Sequence, residues 1–352
     1  MAKKTRYSIG YNNDLLMLEL LEAYSDSVDC LYFPIPPEYL STGRFRPIEK
    51  DYRENIRTVI KTCEKNGINS QILLNATCEA KRCGNTARMK KVTDYLNNLA
   101  KIGLKSAAIT NPFYITEIKN TIPELELHSS VNCYTSKIED ALYLKDMGID
   151  VLTLDRDINR DLDLIKNIKK ATGLKIKLLL NEGCLSNCPF RLMHFNSIAH
   201  RTPDAQFLAH SCITVIRKDP KKVFRIPFIR PEDIKHYKPF TDYFKLATRT
   251  FTTPQIETTL KAYIDEQYNG DLLDLLDMTG MKCMFTFINN KVLDRLDFFN
   301  TMQKCALDCE SCTYCDTLLK KAAILNNGNK KQGCITCDVF KKHVSPYLPC
   351  PP

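Results

Sequence analysis

Residues 175–191 read Lys175-Ile176-Lys177-Leu178-Leu179-Leu180-Asn181-Glu182-Gly183-Cys184-Leu185-Ser186-Asn187-Cys188-Pro189-Phe190-Arg191. The first six residues have the length and character of a buried strand. They run into a polar turn that carries two cysteines. Where a parallel strand ends and a helix begins, α/β proteins place the groups that do their chemistry. Cys184 and Cys188 are four apart, so a helix starting after Gly183 would set both thiols on one face, within reach of a shared ion.

On either side of this turn the same alternation repeats. Strands are predicted at Arg6–Gly10, Val28–Phe33, Ser70–Asn75, Ser106–Thr110, Glu124–Ser129, Asp150–Leu154, Lys175–Leu180 and Asp242–Ala247. Helices fit between most of them, at Asp14–Tyr24, Asp51–Asn66, Thr86–Ile102, Ser136–Met147, Arg160–Ala171 and Pro254–Gln267, with apolar residues at three-to-four spacing. Glycines at 67, 103, 148 and 173 stand where a helix should stop before the next strand. Eight strands with helical crossovers over about 250 residues indicate an α/β fold, a (β/α)8 TIM-like barrel, with an open doubly wound sheet as the alternative.

The barrel is expected over 1–270, with an insertion at about 194–241 that holds Cys212 and the irregular passage Ile226–Pro231. Residues 271–352 read as a small cysteine-rich C-terminal extension folding back on the barrel.

Composition narrows the function. No run approaches the roughly 18–20 apolar residues of a membrane span. The basic start Met1–Tyr7 leads into a strand-like run, without the hydrophobic core of a signal peptide. A cytoplasmic protein is the expectation. The net charge of +9 is spread along the chain, which suits an anionic small molecule, RNA or an acidic peptide but matches no RNA-recognition module. Sixteen cysteines in a reducing compartment point to metal rather than disulfides.

Two constellations carry that reading. Cys184 and Cys188, with Cys212 further on, can hold an iron-sulfur cluster or a zinc ion. In the extension, Cys309, Cys312 and Cys315 have the two-residue spacing of ferredoxin clusters, whereas a partner knuckle at Cys334 and Cys337 would make a zinc ribbon. Cys305 lies a helical turn before Cys309 and is a possible substitute for it. Cys305-x3-Cys309-x2-Cys312 also approximates the radical S-adenosylmethionine spacing, though far from the first strand. Cys350 reads as free.

Four passages resemble the U-thirty-two peptidase family, the collagenase-like peptidases. They are Val28–Phe33, Leu152–Ile158, the turn Asn181–Arg191, and Asp242–Arg249, which is similar to the late strand "fKIeGR" of that family. The resemblance implies a barrel with a 4Fe-4S cluster near its mouth and relatives that hydroxylate ubiquinone precursors, tRNA or ribosomal RNA without oxygen. Prephenate is then the implied hydroxyl donor. It maps Cys184, Cys188 and Cys212 onto cluster cysteines, and Arg156 and Arg249 onto the arginines at strand ends. This chain lacks the cysteine that usually precedes the late strand, so a fourth ligand would come from Cys309, Cys312, Cys315 or Cys283. The cysteine motif is also compressed into Gly183–Cys188.

The expected function is therefore an iron-sulfur enzyme, with one or two clusters, that hydroxylates or otherwise modifies an RNA, peptide or small-molecule acceptor. Glu182, beside the cluster cysteines, is the candidate for proton transfer. Peptide hydrolysis is the alternative within the family, although no Ser/His/Asp or Cys/His set is legible. A non-catalytic RNA- or partner-binding scaffold with structural metal is the alternative outside it.

Overall fold

Eight parallel strands pair each with the next and the last with the first, closing a barrel. They are β1 (Tyr7–Gly10), β2 (Val28–Pro34), β3 (Asn69–Leu74), β4 (Ser106–Ile109), β5 (Glu126–Ser129), β6 (Val151–Thr153), β7 (Lys175–Leu179) and β8 (Tyr243–Lys245). Closure is made by Tyr7 opposite Phe244 and Ser8 opposite Lys245. This computed structural model describes residues 5–43, 51–79, 84–200, 212, 215–278 and 285–326. The eight expected strands are all present, and the barrel replaces the open-sheet alternative.

Helices α1 (Met17–Ala23), α2 (Tyr52–Lys65), α3 (Thr86–Ala100), α4 (Phe113–Thr121), α5 (Ile138–Asp146), α6 (Leu162–Thr172), α7 (Arg191–His200) and α8 (Thr253–Ile264) flank the strands. In α2 the buried residues Tyr52, Ile56, Val59, Ile60 and Cys63 form one stripe. Helix α4 is absent from the sequence-based assignment. Its nine residues include β-branched Ile115, Thr116, Ile118 and Thr121, which weaken local helix propensity. Burial of Tyr114, Ile115 and Ile118 against the barrel outweighs that preference. Gly67, Gly103, Gly148 and Gly173 all have positive φ, as helix stops require.

The pleat sorts side chains between two environments. Leu31, Phe33, Ile72, Leu74, Leu152, Ile176, Leu178 and Leu246 join the main core under the helices. Alternate residues form separate inner clusters, Cys30 with Tyr32, Leu73 and Ala108, and Val131 with Leu179 and Ala247. The interior is unusually polar for a barrel. Gln71 donates to Ser106 Oγ at 3.2 Å, and the Lys177 amine is 5.2 Å from the Tyr243 ring.

His128 is buried beside Glu126, its Nε2 2.8 Å from the carboxylate. Burial first, and the nearby Lys177 charge second, lower its pKa from 6.5 to about 4, against the pull of Glu126. The folded chain thus resists a proton that the unfolded chain accepts. Stability supplied by neutral His128 is fully present above pH 6.5 and drains away as pH falls towards 4, at up to about 1.4 kcal/mol per pH unit. His128→Gln is expected to flatten that part of the stability profile. Urea titrations of both proteins from pH 7 to 4 check this, and identical slopes would refute it.

The insertion and the extension share a second core. Val223, Phe224, Ile226 and Phe228 of the insertion pack with Leu272, Leu276, Phe285, Phe298 and Leu318 of the extension. The extension contributes a two-stranded antiparallel sheet, β9 (Phe285–Ile288) and β10 (Ala323–Leu325), and helices α9 (Asn290–Arg295), α10 (Phe298–Gln303) and α11 (Tyr314–Ala322). Backbone hydrogen bonds join the pieces: Ile229 N donates to Leu180 O at 2.8 Å, and Asp277 N to Asn181 O at 2.9 Å. Among the described residues, no helix is long and apolar enough to cross a membrane.

Candidate active site at the carboxyl end of the barrel

After β6 the chain turns through a short 3-10 segment, Arg156–Ile158, started by Asp155, whose Oδ1 accepts from Asp157 N at 3.3 Å. The turn drives Arg156 inward, to 1% exposure. Its Nε pairs with the Glu182 carboxylate from the end of β7. Asp155 lies 4.0 Å from Nη1, and the guanidinium carbon sits 5.5 Å from the centre of the Phe195 ring of α7. Nη1 and Nη2 are buried and make no hydrogen bond among the described residues. Burial raises the Asp155 carboxyl above its usual value, against the opposing charges of Arg156 and Arg191.

Asn181 anchors the strand exit. It is fully buried, accepts from Ala247 N at 2.6 Å, and donates to Leu275 O at 2.8 Å and Ala247 O at 3.3 Å. One amide therefore holds β7, the exit of β8 and the extension together. Glu182 then forms a parallel bridge with Asp277 of the extension, and Gly183 N donates to Asp277 O at 3.2 Å. A Cβ on Gly183 would stand 2.5 Å from the Met278 side chain, so this close approach requires glycine.

The cysteine turn differs from its expected form. Residues 183–190 are not helical, and the helix begins at Arg191. Asn187 takes a left-handed conformation, φ 51°, and Pro189 disfavours helix at the residue before it. Cys184 and Cys188 are thus half-buried on a loop rather than on one helical face. Cys212 is a half-buried residue of the insertion.

Arg191 organises this loop. It grips Asp157 with Nη1 at 2.5 Å and Nη2 at 2.8 Å, donates to Leu185 O at 2.8 Å, and approaches Cys184 Sγ at 3.2 Å through Nε. Burial pushes the Cys184 thiol up, while Arg191 and Arg156 pull it back towards thiolate. After β8, Arg249, 9% exposed, donates to Thr42 Oγ1 at 3.2 Å. Lys245 lies below it, its amine 4.0 Å from the centre of the Tyr32 ring. Burial, then the charges of Lys177 and Arg249, bring that ammonium down to about 7.

Arg156 and Glu182 are therefore in contact, and Cys184 is linked to them through Arg191 and the Asp155 carboxylate that Arg191 and Arg156 share. Cys309, Cys312 and Cys315 line a different cavity, with Cys305. The four residues from Cys305 to Asp308 are irregular, so Cys305 is not a helical turn below Cys309. Among the described residues no three His, Cys, Asp or Glu side chains are gathered tightly enough to share one ion. Cys283, Cys334, Cys337 and Cys350 lie outside the described residues. Sequence reasoning did not single out Asn181, Arg191, Asp155, Asp157, Asp277 or Lys245. Arg191 carried the clearest signal, a lone charge closing the cysteine motif.

Residues 17–186, from α1 into the cysteine loop, match the sequence profile of peptidase family U32. An uncharacterized protease of Methanocaldococcus jannaschii is 29% identical over 296 residues, which span 81% of this chain and 86% of that protein. Among solved structures, the U32 peptidase Mk0906 superposes with a TM-score of 0.52 at 18% identity, covering 70% of this chain and 94% of that one. The latter is a likeness of fold.

Proposed function

We propose that this chain, whose residues 17–186 match the profile of peptidase family U32, is an iron-sulfur enzyme of that family that modifies an RNA, peptide or small-molecule acceptor, by oxygen-independent hydroxylation or a related reaction. The observation that carries the reading is the buried Arg156, whose Nε is taken by Glu182 while Nη1 and Nη2 have no hydrogen-bond partner among the described residues. That end of the fork matches a carboxylate and can hold it with two parallel hydrogen bonds. Arg249, at the exit of β8, offers a second cation at the same end of the barrel, which suits a dicarboxylate such as prephenate.

The donor chemistry of the mouth fits a thiolate-held cluster. Cys184 and Cys188 stand on one half-buried loop, with the Arg191 guanidinium against Cys184. These two, with Cys212, would hold it. When bound, a 4Fe-4S cluster supplies one-electron redox chemistry. The protein's own groups bind and orient the hydroxyl donor: Arg156 and Arg249 fix its carboxylates, and the Phe195 ring flanks the Arg156 guanidinium. Glu182, held ready by Arg156 Nε, takes the proton that the acceptor releases.

The relative's name as a protease favours peptide hydrolysis as the second reading. It needs a base beside a nucleophile, and Cys184 has arginine there instead.

Calorimetric titration of anaerobically prepared protein with prephenate tests the proposal. Arg249→Gln is expected to weaken binding at least about tenfold without loss of iron, since one charge-assisted contact is worth about 1.5–3 kcal/mol. Absence of prephenate binding in iron-loaded protein, together with cleavage of unstructured peptides, would replace this reading with the peptidase one.

A further inference from the structure

Away from the mouth, a cavity of about 410 Å³ lies between the 3-10 segment Pro220–Arg225 of the insertion and the irregular stretch that joins α10 to α11. Cys305, Cys309, Cys312 and Cys315 all line it. Three of these residues are exposed and Cys315 is half-buried, so the cavity opens to solvent. No cysteine of the barrel mouth takes part in its wall.

Cys315 stands in the first turn of α11, and Cys305, Cys309 and Cys312 come from the irregular stretch before it. The opposite wall is basic. Lys221 is tied to both oxygens of Asp316, at 3.0 and 2.9 Å, and Lys222 and Arg225 line the cavity beside it.

Zinc would draw four sulfurs to about 2.3 Å from a single point. The thiols line one cavity without converging so closely, since no three such side chains among the described residues can share an ion. A cubane cluster has the opposite demand, because each thiolate binds its own iron at a separate corner. The spacing Cys309-x2-Cys312-x2-Cys315 is also that of a contiguous cluster-binding run.

We infer that Cys305, Cys309, Cys312 and Cys315 form a solvent-facing 4Fe-4S site of their own, separate from the thiols of the barrel mouth. The site is assembled jointly by the insertion and the extension, which share the core beneath it.

The test uses the full chain with the mouth thiols removed, Cys184→Ala/Cys188→Ala, reconstituted without oxygen with ferrous iron and sulfide. About four irons and four acid-labile sulfides per chain are expected to remain, and to disappear when Cys309→Ser/Cys312→Ser is added. The exposed Cys309 and Cys312 leave the melting curve nearly unchanged, which separates loss of ligands from loss of fold. Three results overturn the inference: no iron in the mouth variant, zinc without sulfide, or complete loss of iron from each of the two pairs of substitutions made separately, which means one shared cluster. Failure of the mouth proposal looks different, because Cys309→Ser/Cys312→Ser alone would then bind no iron while the mouth variant kept its full content.

Discussion

Replacing Glu182 by alanine is expected to lower the unfolding free energy by about 3–5 kcal/mol, the cost of stranding one member of a buried ion pair. Arg156 is 1% exposed and Glu182 7%, so neither charge has water to fall back on. Without Glu182 the guanidinium keeps Asp155 at 4.0 Å, and Asp155 is already shared with Arg191 at 3.5 Å. Removing both charges should cost less than removing one. Arg156→Met/Glu182→Leu is therefore expected to recover most of the loss while abolishing anion binding. Urea unfolding of the three variants decides it. A loss below about 1 kcal/mol in Glu182→Ala would place the pair among solvated surface bridges.

The second large effect is expected at Arg230, in a charge network remote from the mouth. Its Nε and Nη2 grip Asp233 at 2.9 and 2.8 Å, while Nη1 reaches Asp294 at 2.9 Å and Asn290 O at 3.3 Å. Arg230 and Asp233 belong to the insertion, and Asn290 and Asp294 to α9 of the extension. Arg230→Met strands the Asp233 carboxylate at 5% exposure and should cost about 3–5 kcal/mol. Asp294, 40% exposed, is readily solvated and adds little. The extension should also loosen, which amide hydrogen exchange in α9 and α10 would register. Unchanged exchange there, with a stability loss, would mean that the apolar core of Phe228, Phe298 and Leu318 holds the extension unaided.

The cysteine turn shows where local reading succeeds and where it stops. Lys175–Leu180 announces a strand because buried strands are written in contiguous apolar residues, and Gly183 announces a break. A helix through Cys184 and Cys188 follows from their spacing but ignores Asn187 and Pro189, two residues that interrupt helix locally. That error was avoidable from sequence. The pairing of Arg156 with Glu182 was not, since 26 residues and a whole helix separate them and only the register of β6 beside β7 brings them together.

By itself the sequence determined the eight strands, most of the crossover helices and their glycine stops, because each depends on burial periodicity and backbone preference within a few residues. It also marked Arg156, Arg249, Glu182 and the cysteines as the residues to watch. Tertiary structure alone decided that Asn181 reaches Leu275, 94 residues away, and that Asp277 extends the cysteine turn. It likewise sorted the cysteines into two places, the mouth and a cavity walled by Pro220–Arg225. Spacing records which side chains can meet along one segment, whereas meeting across segments is set by how two cores pack, a property of the whole folded chain.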